Sequence, residues 1–170
     1  MDYSIESVNL SKEVNEDLIK EGRVEVHEGN VMDLPFEDNS FDIVTAFETV
    51  YFWPDISDSL REVKRILKHG GNFFISLVCS SDNFEDDIKE DPKMDGFKAY
   101  TPDELNDLLE SEGYENIRAY IRKPHDDKKI VRTYTRFGYV DECVEDDFER
   151  SDYSHIESEN HRWFCVIAEK

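Results

Sequence analysis

A chain of 170 residues has room for one domain with one sizeable core, and its 12% aromatic content argues against disorder despite 36% charged residues. A formal net charge of -21, with pI near 4.5, makes polyanions poor partners, because phosphate binding needs clustered Lys and Arg. The basic clusters are short, Lys64-Arg65-Lys68 and Arg122-Lys123, so nucleic acid is disfavoured as a substrate.

The spacing predicts a helix over 5–21. Ser4 can cap it, Leu10, Val14 and Leu18 recur at i+4, and Gly22 ends it. Residues 23–27 alternate, with Val24 and Val26 on one face, and predict a strand. A second strand, more continuously apolar, is predicted over 42–47. A helix follows over about 57–68, with Leu60, Val63 and Leu67 on one face. Lys64, Arg65, Lys68 and His69 crowd its last turn, where cations complement the helix dipole, and Gly70-Gly71 stops it. Residues 73–79 are apolar throughout, the pattern of a parallel strand covered on both faces. Thr101-Pro102-Asp103-Glu104 is a capping box with Pro at the first helical position. The helix it opens turns Leu105, Leu108 and Leu109 to the core and ends at Gly113. Strands over 116–121 and 163–168 complete the set.

Helices alternate with strands, so the class is α/β with a largely parallel sheet, in one domain over 1–170. Two segments break the rhythm: an acidic connection over 81–98, with a short helix expected at 84–89, and a long insertion over about 124–161. The insertion has a β-prone part, 129–140, and an acidic part, 141–159. Connections of this length are usually lids or mobile segments. Cys79, Cys143 and Cys165 form no CxxC, and no window approaches 18 consecutive apolar residues. A reduced, cytoplasmic protein with no membrane span is the expectation. His155 and His161 lack the partner spacing of a metal site, and the acidic runs lack that of a calcium loop, so no metal is expected.

The most informative stretch is GNVMDLPFEDNSFDIVTAFETVYFWPD, residues 29–55. It resembles the class I S-adenosylmethionine (SAM)-dependent methyltransferases, in particular the small-molecule group related to quinone-biosynthesis methyltransferases. That family shows a strand, a GDAxxLPF run, a polar turn, SFD, a buried strand and a loop ending near PD. Here Asn30 replaces the usual acid and Val31 the usual Ala, while Leu34-Pro35-Phe36 and Ser40-Phe41-Asp42 match. Residues 61–76, 100–117 and 161–170 resemble the family's later helices and strands, in the same order and spacing. The resemblance covers most of 1–123 and 161–170. It implies a Rossmann-like sheet of order 3-2-1-4-5-7-6, with 163–168 antiparallel between 73–79 and 116–121.

None of the seven glycines forms the family's GxGxG loop. Met1-Asp2-Tyr3-Ser4 matches the end of the family's second strand, so the resemblance implies an N-terminally truncated domain. Strand 42–47 then has an edge that 23–27, the segment 129–140 or a second chain could pair, which makes a homodimer through that edge one expectation. SAM is the implied cofactor. Asp2 would take the ribose hydroxyls, Tyr3 the adenine face, and Asn30 with the Val31 amide the adenine edge. Phe47 would lie beside the sulfonium, where an aromatic ring attracts a cation. Glu48, Tyr51 and Trp53 follow where the family's substrate pocket opens. The plainer alternatives stay open: a terminal residue for Asp2, a turn residue for Asn30, and an aromatic run that caps the core. Methyl transfer asks for alignment more than acid/base chemistry, so no catalytic base is named. Two functions are therefore carried forward: methyl transfer from SAM to a small molecule, or a non-catalytic remnant serving as a binding or interaction module.

Overall fold

A computed structural model describes residues 1–80, 98, 100–122, 128–135, 138–145 and 161–170. The helix expected at 84–89, the acidic stretch beyond 145 and His155 lie outside these residues. Strands β1 (Phe41–Phe47), β2 (Leu67–Ser80), β3 (Glu115–Arg122), β4 (Lys128–Thr135), β5 (Gly138–Glu145) and β6 (His161–Glu169) form one sheet, ordered β1-β2-β6-β3-β4-β5. The described helices are α1 (Ile5–Val14), α2 (Glu16–Lys20), α3 (Ile56–Ile66) and α4 (Pro102–Ser111), with a 3-10 turn at Val50–Phe52.

β1 and β2 are parallel, and β6 runs antiparallel between β2 and β3, which makes β3 parallel to β2. The first four strands thus reproduce the 4-5-7-6 portion of the expected order. The β-prone segment becomes the β4–β5 hairpin and extends the sheet beyond β3, at the edge opposite β1.

Residues 23–27 do not form the expected strand. A strand needs a ladder, and among the described residues this stretch enters none; an isolated parallel bridge, Asp2 with Glu28, lies just beyond it. Val24 and Val26 are half-buried. The helix expected over 5–21 is also divided. Ser4 caps α1 by accepting the Ser7 N–H at 3.3 Å, and Gly22 (φ 70°) follows α2 in the left-handed region. Between them the Asn15 side chain bonds back to the Ser11 carbonyl at 2.8 Å, a competition with the backbone that interrupts helices. The stripe of Leu10 and Val14 is exposed, and Val8 is the residue of α1 that is buried.

The core lies on one face of the sheet. Phe73, Ile75 and Leu77 of β2 are fully buried, and each pairs in register with a buried residue of β6: Ala168, Val166 and Phe164. Ile117 and Ala119 of β3 continue the row. α3 and α4 cover it with Leu60, Val63, Ile66, Leu105 and Leu109. Each such side chain, taken fully from water, contributes about 1.5–3 kcal/mol before the cost of ordering.

Local signals set the ends of both helices. Asp55 caps α3 through the Asp58 N–H at 2.9 Å, and Thr101 with Glu104 forms the reciprocal capping box of α4. α3 ends at Ile66, and the chain passes directly into β2 through an irregularity between Leu67 and Asn72. Gly71 is required there, since a Cβ would stand 2.9 Å from the Lys68 carbonyl oxygen and 3.0 Å from that of Asp42. The Tyr114 hydroxyl donates to the Leu60 carbonyl of α3 at 2.9 Å, and burial raises its pKa well above the ordinary phenol value. Because Phe73 is enclosed by both helices and by Trp53 and Tyr114, Phe73→Ala is expected to lower unfolding free energy by about 3–5 kcal/mol. Urea denaturation followed by circular dichroism measures this directly.

Candidate functional site

Two groups of the expected site residues occupy different places. The first gathers where the N-terminus meets residues 27–31. Asp2 donates its N–H to the His27 carbonyl at 3.1 Å and accepts the Gly29 N–H on its own carbonyl at 3.0 Å. The bridge sets Tyr3 beside Asn30 in a concavity of about 490 Å³ lined by Tyr3, Ser4, Ile5, Glu6, Glu28, Gly29 and Asn30. That is the size range of small-molecule sites. The Tyr3 side is open, with the residue 82% exposed. Glu6 and Glu28 contribute carboxylates, so the site favours cations and hydroxyl donors over anions.

Asp2 and Asn30 are both already engaged locally. Asp2 Oδ1 accepts the Ser4 N–H at 2.8 Å, which aims the chain into α1. A carboxylate has about four acceptor positions, so capacity for a ribose remains. Asn30 Oδ1 accepts the Met32 N–H at 3.0 Å, and its carbonyl accepts the Asp33 N–H at 3.0 Å. Asn30 is therefore a turn residue whose side-chain oxygen keeps a second lone pair. Val31 is half-buried against the core.

The second group sits at the C-terminal end of β1. Phe47 is 63% exposed and does not line the concavity. Glu48 has φ 53°, in the left-handed region that a non-glycine residue rarely adopts. Its N–H donates to the Ser76 carbonyl at 3.0 Å, and its carboxylate accepts the Tyr51 hydroxyl at 3.2 Å. Tyr51 is buried in the core cluster, and Trp53 stacks on Phe73 with ring centroids 6.2 Å apart and planes 8° apart. Phe52, between them, is exposed.

Sequence reasoning passed over Glu62 and Arg65 as determinants of this region. Both lie on α3, three residues apart, and grip the irregular segment 34–38 that follows Asn30 and Val31. Glu62 Oε1 accepts the Leu34 N–H at 2.8 Å, and Arg65 donates to the Leu34 and Phe36 carbonyls at 3.0 and 2.8 Å. The spacing Glu62-x-x-Arg65 was legible as an ion pair along α3, but its reach to the loop was not. The Arg65 hydrogen bond holds the Glu62 carboxyl below the usual carboxylate range, against burial, which raises it, and with help from the Leu34 N–H.

A depressed folded-state pKa means the folded protein binds the Glu62 proton less readily than the unfolded chain. Glu62 therefore contributes stability above its unfolded value of about 4.3, and that contribution is lost as pH falls below it. Unfolding free energies of the wild type and Glu62→Gln, measured from about pH 6 down to about pH 3, should differ most at the high end and converge at the low end.

The N-terminal part of the sequence, residues 1–75, matches the family model described as "Methyltransferase domain". The demethylmenaquinone methyltransferase of Bacillus pumilus (strain SAFR-032) is 31% identical over 134 residues, covering 77% of this chain and 47% of that protein. The chain spans about half the length of this relative. Among solved structures, a putative sarcosine dimethylglycine methyltransferase from Galdieria sulphuraria superposes with a TM-score of 0.67 at 14% identity, covering 99% of this chain and 69% of that one. A phosphoethanolamine N-methyltransferase 2 from Haemonchus contortus, solved in complex with S-adenosyl-L-methionine, superposes at 0.59 with 18% identity over 91% of this chain and 39% of that one. At these identities the structural likeness establishes the fold.

Proposed function

We propose that this chain is a class I SAM-dependent methyltransferase, similar over residues 1–75 to the methyltransferase domain family, and that it serves methyl transfer from SAM to a small-molecule acceptor. The observation that carries the reading is the concavity where Tyr3 and Asn30 converge. Its residues fit an adenosine. Tyr3 offers an open aromatic face, Asn30 an acceptor with a lone pair to spare, and Asp2 a carboxylate one residue from the rim. The cofactor, when bound, supplies a methyl group already activated on a sulfonium.

The protein's own contribution is then to orient and to exclude water. Glu48 and Tyr51, held to each other at 3.2 Å at the end of β1, stand as the candidate acceptor-side pair, beside Phe47. A net charge of -21 supports a neutral or cationic small molecule over a polyanion. The sequence contains no GxGxG loop, and such a loop at a helix N-terminus supplies much of the grip on a nucleotide-like cofactor. Weak binding by these 170 residues follows.

The test is an amide-resolved NMR titration with millimolar S-adenosylhomocysteine. Fast-exchange shifts are expected at Tyr3 to Glu6 and at Glu28 to Val31, with a dissociation constant on the order of millimolar. Absence of shifts at these amides, or shifts only elsewhere, removes the reading.

A second reading, that of an interaction module, has its own observation. β1 is a terminal strand of the sheet, and along it Ile43 and Phe47 are 56% and 63% exposed. Unpaired strand edges recruit other chains, here a second copy. Sedimentation should then show a dimer for the wild type and a monomer for Ile43→Lys. A wild type that stays monomeric at high concentration rules the second reading out.

A further inference from the structure

We infer that Arg65 and Glu62 act as a positioning pair that fixes the Asn30–Val31 turn from behind. The functional weight of this inference rests on the adenosine-site reading above, but its structural part does not. The segment from Val31 to Ser40 contains no helix and no strand, so its backbone groups must find partners one by one. The Arg65 side chain partners two of them, the Leu34 and Phe36 carbonyls. A guanidinium carries five N–H donors in a rigid fork, and here five acceptors meet it. They are Glu62 Oε2 at 2.8 Å on Nε, Phe36 O at 2.8 Å and Asp38 Oδ1 at 2.7 Å on Nη1, and Leu34 O at 3.0 Å and Glu62 Oε1 at 2.7 Å on Nη2. Glu62 completes the clasp by accepting the Leu34 N–H at 2.8 Å. Both backbone groups of Leu34 are therefore bonded to one pair of side chains on α3.

The clasp transmits position in both directions along the chain. Upstream, the Asn30 carbonyl accepts from Asp33 and the Asn30 side chain from Met32, each at 3.0 Å, so the turn 30–33 is joined to Leu34 as a unit. Downstream, Phe36 sits edge-on to both His27 and Phe41, at 5.4 and 4.9 Å between centroids. The Arg65 carbonyl also accepts the Asn39 N–H at 3.0 Å and the Lys170 ammonium at 3.2 Å. α3 is itself seated on β2 by Leu60, Val63 and Ile66. The Val31 amide and the Asn30 oxygen thus take their places from the packed core, although nothing regular in their own segment holds them. Arg65 touches no expected ligand atom. It acts through the turn, and Lys cannot replace it, because an ammonium has three donors and no planar fork.

The experiment compares the full chain with Arg65→Lys and the milder Glu62→Gln, by hydrogen exchange of backbone amides and by S-adenosylhomocysteine titration. Loss of charge-assisted bonds should speed exchange at Met32, Asp33 and Leu34 about tenfold in Arg65→Lys, and less in Glu62→Gln, while amides of Phe73 and Ile75 keep their wild-type rates. The ligand shifts at Asn30 and Val31 should shrink, and those at Tyr3 to Glu6 should persist with a weaker apparent affinity. Wild-type exchange at Met32 to Leu34 in Arg65→Lys overturns the positioning role. So does acceleration spread evenly over the whole sheet, which marks a merely structural residue, and so do unaltered shifts at Asn30 and Val31 in a loosened loop. If the wild type itself shows no ligand shifts, the adenosine reading fails, and the exchange pattern alone decides whether the pair fixes the turn.

Discussion

Phe73, Ile75 and Leu77 leave solvent entirely on one face of β2, and that burial constrains every neighbour. Its register partners on β6, Ala168, Val166 and Phe164, are buried with it, because facing pairs share one layer beneath α3 and α4. It also dictates where α3 lies, and through α3 where Glu62 and Arg65 stand. The candidate site is therefore downstream of the core in a literal sense: its loop is tethered to a helix whose place is set by β2. The other face of the same strand carries Phe74 and Ser76, only half-buried, beside Ile167 and Cys165 of β6. Burial raises the Cys165 thiol above its ordinary pKa, which favours the neutral thiol over the thiolate.

What the sequence disclosed follows from range. Elements whose signals are local came through: the capping box at Thr101, the apolar run of β2, the amphipathic stripe of α3. Residues 23–27 had the right alternation but no partner, since alternation reports which faces a strand would have and says nothing of who pairs with it. Leu10 and Val14 repeat the lesson for a helix, where spacing marks an apolar stripe and Val8 is buried instead. In the site, Tyr3 and Asn30 converge because one backbone bridge joins residues far apart in sequence. Tyr51 and Trp53 lie against the core, the arrangement that an aromatic run produces when apolar surface is near. Arg65 looked like a dipole-complementing cation at a helix end. Its bonds span 27 to 31 residues to the loop, a separation at which no periodicity operates.

The two edges of the sheet differ in how they meet water. β5, at one edge, carries the exposed Glu142, and edge charges discourage the approach of another strand. β1, at the other, carries one acid, Asp42, and that acid is drawn to Lys68 at 2.8 Å. The remaining residues of β1 that reach solvent include Ile43, Thr45 and Phe47, on alternate positions and so on one face. Strands paired in parallel are ordinarily covered on both faces, and this one is not covered along its outward apolar row.

That edge ends at Phe47, immediately before Glu48. Glu48 leaves the strand path at φ 53°, and its N–H still bonds to Ser76 on β2, so the turn is anchored on the inner side of β1. A chain segment pairing along the outer side of β1 would run past Phe47 and come to the same turn from the opposite direction. Pairing there would bury Ile43 and Phe47, and it would also border the Glu48–Tyr51 hydrogen bond at 3.2 Å. The outer edge of β1 and the Glu48–Tyr51 hydrogen bond that follows it are therefore neighbours in the fold.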